Sequence, residues 1–204
     1  MSATTADVRE QLLRAALLVY ARFGTRGATT RRIAEEAGVN EVTLFRHFGS
    51  KDALIAEALT WGATQGLWKS LPDEPVDPAR ELYEFSRLHH QGLTEARALI
   101  RTCMSEFAEQ PAATRVACDG PARIAADLER YLERLRATGL AVGTWDPRSA
   151  AAMLMGTLFA DAMGREFMPE HYTQSEAEAV QQYVSLFVRA IGCSTHSAAS
   201  ADVA

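Results

Sequence analysis

The chain has 204 residues, 48% hydrophobic and 23% charged, and its 21 Lys+Arg against 26 Asp+Glu give a formal net charge of −5. That balance excludes a uniformly basic protein that coats nucleic acid, and the apolar share excludes a disordered chain, while a locally basic site stays open. The length suits one large domain or two small ones.

Strand-type alternation is nearly absent and helix-period apolar spacing recurs from end to end, so the expected fold class is all-α. A first helix is expected over Asp7 to Phe23, with Val8, Leu12, Ala15, Ala16, Val19 and Phe23 on one buried face and Gly24 as a left-handed cap. Thr29 and Thr30 offer hydroxyl caps to a short helix over Arg31 to Ala37, which Gly38 closes. Asn40 then caps a helix over Glu41 to Phe48, Gly49 ends it, and Ser50 caps a long helix over Lys51 to Lys69. The segment from Leu71 to Pro78 holds three of the seven prolines and reads as a loop. Further helices are expected at Ala79 to Leu93, Glu95 to Glu109, Ala122 to Thr138, Arg148 to Phe167 and Ser175 to Ile191. Between Gln110 and Pro121 periodicity does not decide, and Gly120-Pro121 is expected to kink or break a helix. Residues 193–204 read as a disordered tail.

Cys103, Cys118 and Cys193 are odd in number and widely spaced, which fits neither a disulfide framework nor a zinc site, so a reducing cytoplasm is the expected compartment. No signal peptide or membrane span is expected. The charge is unevenly divided: residues 1–51 carry +3 and residues 52–204 carry −8. An anionic partner for the first part alone follows, if the charges sit on one surface.

Ile33, Ala34 and Ala37 share a face of the second helix, Leu44 and Phe48 share a face of the third, and Val39 plugs the turn between them. This is the spacing of a helix-turn-helix. The polar residues left over face outward and suit a duplex: Thr43 for a phosphate or a thymine methyl, Arg46 and His47 for phosphates, and Asn40 and Glu41 at the helix N-terminus, where base edges are met. Arg31 and Arg32 open the preceding helix and Lys51 the following one, which puts positive groups on both sides.

Thr29-Thr30, Ile33-Ala34-Glu35-Glu36-Ala37-Gly38-Val39, Thr43-Leu44-Phe45-Arg46-His47-Phe48 and Ser50-Lys51-Asp52-Ala53-Leu54 together resemble the N-terminal motif of the TetR family of transcriptional regulators. The resemblance covers about the first fifty-five residues. It implies a DNA-binding headpiece over 1–51 on a helical body over 52–192 that binds a ligand and dimerises. It also implies DNA contacts by Thr30, Arg31, Thr43, Phe45, Arg46, His47 and Lys51. Two positions depart from the family's habit, with Phe45 where a tyrosine is common and Val42 where a glycine is common.

In the helix from Arg148 to Phe167, Ala152, Gly156, Ala160 and Gly164 form a small-residue stripe beside Phe159 and Met163, and the last helix offers Val180, Val184 and Phe187. The resemblance gives these two helices the dimer interface, so a homodimer on a pseudo-palindromic operator is expected. Trp61, Gln65, Trp68, Phe85, His89, Met104 and Phe107 are large groups expected to line a cavity for a small hydrophobic effector, though each is also a natural core residue. No cofactor or metal is called for, and His89-His90 lacks the spacing that aims two rings at one ion. The reading is a ligand-responsive regulator, most simply a repressor and not an enzyme. The alternatives are a helical-bundle enzyme and a small-molecule-binding protein without DNA recognition.

Overall fold

The computed structural model describes residues 5–62, 70–108 and 119–193. Among them are nine helices: α1 (Thr5–Gly27), α2 (Thr30–Glu36), α3 (Glu41–Phe48), α4 (Lys51–Gly62), α5 (Pro78–Glu95), α6 (Arg97–Glu106), α7 (Asp119–Ala137), α8 (Pro147–Gly164) and α9 (Glu176–Ala190). No strand occurs among the described residues, and the chain is all-α as expected. Two compact units emerge, residues 1–66 with 95–122 and residues 67–94 with 123–204.

In the first unit α1 packs on α2, α4 and α6. Leu12, Ala16, Ile33, Leu44 and Leu54 are fully buried, and Leu99 and Cys103 of α6 pack against the same core. Gly24 has φ 63°. The regular helix breaks there as expected, with non-helical backbone at Gly24, and one further turn continues α1 to Gly27, where the Ala28 amide donates to the Gly24 carbonyl at 2.9 Å. A side chain at Gly24 would meet the Glu106 carboxylate as well as the left-handed backbone. Phe23, expected on the buried face, is 51% exposed, with the Arg32 guanidinium 4.7 Å from its ring centre. Leu13 and Tyr20 are buried in the core beside the expected residues.

In the second unit Leu82 and Phe85 of α5, Leu128 and Leu132 of α7, Leu154 and Leu158 of α8, and Val184 and Val188 of α9 form one core. Asp146 caps α8 through the Ser149 amide at 2.8 Å, and Pro147 occupies its first turn. Ser175 and Glu178 cap α9 reciprocally. Gly120-Pro121, expected to break a helix, lies in the first turn of α7, where no intrahelical partner exists for the missing amide. Cys193, assigned to the tail, is buried and forms an isolated antiparallel bridge with Ala141. Gly192 beside it has φ 68°, and a side chain there would strike the Val142 carbonyl. The expected end of α4 at Lys69, Cys118 and residues 194–204 lie outside the described residues.

Candidate nucleic-acid interface

The α2 and α3 helices are set by their caps. Thr29 accepts from the Arg32 amide at 3.3 Å, and the Asn40 carbonyl Oδ1 accepts from the Thr43 amide at 2.9 Å and the Thr43 hydroxyl at 3.0 Å. The turn between them is closed by the Val39 amide on the Ala34 carbonyl at 3.0 Å. Ile33, Ala34 and Leu44 are buried as the spacing predicts, with Ala37, Val39 and Phe48 packed at the edge of the core. With that face fixed inward, Val42, Phe45 and Arg46 point to solvent, and Val42 is 75% and Phe45 47% exposed.

Several of the other residues expected at DNA are already tied within the headpiece. Thr30 donates to Glu41 Oε2 at 2.8 Å, so the two expected contacts join the starts of α2 and α3. Arg31 pairs with Glu35 at 2.9 Å across an exposed helix turn, a weak pair that a phosphate can displace. Arg32 donates to the Gly27 carbonyl at 2.9 Å while stacking on Phe23, and Lys51 Nζ donates to the Thr25 carbonyl at 2.8 Å. His47 is half-buried against Phe48, its Nε2 enclosed without a hydrogen-bond partner among the described residues, and so is less available to a phosphate than expected.

A clamp that the sequence does not reveal supports this unit from behind. Glu106, near the end of α6, accepts from the Thr25 amide at 2.7 Å, the Thr25 hydroxyl at 2.7 Å and the Tyr20 phenol at 2.9 Å. Thr102 one turn earlier donates to the Ala21 carbonyl at 2.8 Å. Burial raises the Glu106 carboxyl, but the Thr25 and Tyr20 hydrogen bonds outweigh it and hold the group below its usual range. Thr25 therefore receives Glu106 on its donors and Lys51 on its carbonyl. A sequence separation of 81 between Thr25 and Glu106 leaves no local signal for this pair.

The residues expected at an effector site are distributed over both units. In the first, Trp61 is half-buried with Arg14 5.8 Å from its ring centre, while Met104 and Phe107 are 62% and 51% exposed. In the second, Phe85 is buried in the core and His89 stacks on it, with ring centres 6.2 Å apart. Burial, helped by the neighbouring His90, pushes the His89 imidazole down to about 4. Gln65 and Trp68 lie outside the described residues. The sequence also missed a buried polar cluster in the second unit. Asp161 accepts from His90 at 2.6 Å, from Arg165 at 2.7 and 3.0 Å, and from Tyr183 at 2.8 Å. The four-residue step from Asp161 to Arg165 is visible in the sequence as an ion pair, but not the burial that makes it a hub.

Of the small-residue stripe, Ala152, Gly156 and Ala160 are exposed, and among the described residues nothing lies within 4 Å of where a Gly156 side chain would begin. Gly164 is buried beneath Tyr172, and Phe159 and Met163 are half-buried. Val180, Val184 and Phe187, expected at a dimer surface, are at most 3% exposed and point into their own unit's core, a correction to the sequence reading. The outward face of α9 carries Leu186 instead, 58% exposed.

Residues 12–58 match the family of bacterial regulatory proteins of the TetR type, and residues 85–193 match the C-terminal domain of AefR-like transcriptional repressors. The chain is 24% identical over 183 residues to the uncharacterised HTH-type transcriptional regulator YvkB of Bacillus subtilis (strain 168), covering 89% of this chain and 96% of that one. Its fold is similar to that of a TetR-family regulator from Mesorhizobium loti MAFF303099, at TM-score 0.74 and 23% identity over 94% of this chain and all of the other. It is also similar to the transcriptional regulator FadR of Bacillus subtilis solved with stearoyl-CoA, at TM-score 0.70 and 19% identity over 88% of this chain and 97% of the other. With a helix-turn-helix whose third helix is open to solvent and a matching C-terminal domain, the chain belongs to the TetR family and is a DNA-binding transcriptional regulator, not an enzyme.

Proposed function

We propose that the protein is a cytoplasmic repressor that binds a pseudo-palindromic operator as a homodimer and is released by a small hydrophobic effector. The observation that carries this reading is the outward surface of α3, where Val42, Phe45 and Arg46 stand clear of the headpiece core. Residues 1–51 act as the headpiece and residues 52–192 as the body. Thr30, Arg31, Thr43, Arg46 and Lys51 serve phosphate or base contacts, Arg31 after exchanging Glu35 for a phosphate.

The homodimer rests on the exposed Ala152, Gly156 and Ala160, and α8 and α9 also carry the exposed apolar side chains Met153 and Leu186. Small side chains on one helix face let two backbones approach closely. The effector proposal draws on Phe85 and on His89, which stays uncharged at neutral pH and offers a hydrogen bond without a charge to desolvate. Stearoyl-CoA in the related FadR supports an acyl or similarly apolar ligand. Effector binding shifts the tilt of α4, which begins at Lys51 on the Thr25 carbonyl, and operator affinity falls.

The test is a mobility shift of the upstream region with the full chain at several salt concentrations, with and without a long-chain acyl-CoA as probe. The expected result is salt-sensitive binding by a species of dimeric mass, weakened by the probe. A monomer without duplex affinity would defeat the proposal, and an affinity indifferent to a bound effector would defeat its release mechanism.

A further inference from the structure

The outward face of α3 sets exposed apolar side chains beside Arg46, while the polar groups at its N-terminus are already hydrogen-bonded within the headpiece. At its N-terminus, where base edges are met, Glu41 holds the Thr30 hydroxyl at 2.8 Å, and the Asn40 Oδ1 is shared by the Thr43 amide and hydroxyl. A cytosine amino group needs a carboxylate acceptor and an adenine edge needs an amide with donor and acceptor both available. Here one oxygen of the Glu41 carboxylate and the Asn40 Oδ1 already hold partners within the headpiece. Val42 and Phe45, three residues apart on one helix face, are instead 75% and 47% exposed. Val42 is stiff at its first side-chain torsion and has no polar atom, so its complement in a groove is a fixed apolar group.

We infer that Val42 and Phe45 read thymine 5-methyl groups, the one apolar feature that a base pair presents in the major groove. This deepens the DNA-binding role of α3 and rests on it. Each operator half-site then carries thymines where the pair docks, while Arg46 beside them supplies charge toward the backbone or a guanine edge.

The test begins with duplexes selected from a random pool by the full chain. Each thymine of a selected half-site is then replaced singly by 2′-deoxyuridine, which keeps the pairing and removes only the methyl. The expected result is a loss of about fourfold in affinity at each of two positions per half-site, the weight of one buried methyl group. Val42→Ala and Phe45→Ala each erase the thymine-over-uracil preference at one of those positions with the helical circular dichroism unchanged. Selected duplexes bound equally with uracil at every position overturn the inference and leave DNA binding standing. Absence of any salt-sensitive duplex binding overturns the role of α3 on which it rests.

Discussion

Glu106 is a residue whose loss the headpiece should feel. Its carboxylate satisfies the Thr25 amide, the Thr25 hydroxyl and the Tyr20 phenol together. Glu106→Ala leaves those donors without their acceptor and is expected to cost about 1–3 kcal/mol, read as a lower thermal midpoint together with weaker operator binding. Asp161 makes the matching prediction for pH. Burial raises its carboxyl, but bonds from Arg165, Tyr183 and His90 prevail and hold it below the usual range. A carboxylate depressed in the folded state contributes stability above its unfolded pKa that is lost as pH falls through the folded one. His89, lowered from 6.5 to about 4, acts in the same direction, because acid charges it more readily in the unfolded chain. Stability should therefore decline from about pH 6.5 downward. His89→Phe should flatten the upper part of that decline and Asp161→Asn the lower, in denaturant melts at stepped pH. The pairings of Glu106 with Thr25 and Tyr20, and of Asp161 with His90 and Tyr183, were not legible beforehand, because they join groups distant in sequence, whereas the four-residue step from Asp161 to Arg165 was visible and only its burial was not.

At the scale of elements, legibility followed chemistry that acts within a few residues. The caps Thr29, Asn40 and Ser50 placed α2, α3 and the start of α4, and apolar spacing placed α9, each to within one residue. The α5–α6 break, expected between Leu93 and Glu95, falls at Ala96 without a side-chain cap to fix it, and α7 accepts Pro121 in its first turn. The inward turn of Val180, Val184 and Phe187 was illegible for another reason: a helix's apolar face looks the same whether its own chain or a second copy covers it. Asn40→Ala removes the α3 cap and is expected to destabilise the headpiece by about 1 kcal/mol. It also frees the Thr43 hydroxyl, so the change in operator affinity should exceed that in the thermal midpoint if Thr43 turns to a phosphate.

For the whole molecule, the −5 charge says less than its division into +3 and −8, which keeps an anionic partner to the headpiece. A slope of affinity against salt that responds to Arg46→Ala, with the melting curve unchanged, is the measurement for that surface. The proposed dimer has its own test in Gly156→Leu. The described residues leave open space at that position, so the fold should persist while the mass by light scattering falls to that of the monomer.

The α6 helix packs against α1 and reaches Tyr20, Ala21 and Thr25, although it follows them by some eighty residues. The DNA-reading part of this protein is consequently not a cassette that could be cut from its N-terminus and joined to another body. A fragment ending at Gly62 would bare the side of α1 that Leu99 and Cys103 cover and would lose the Glu106 clamp. Exchange of sensing bodies between such regulators, by recombination or by engineering, would have to carry a matching α6 with each body.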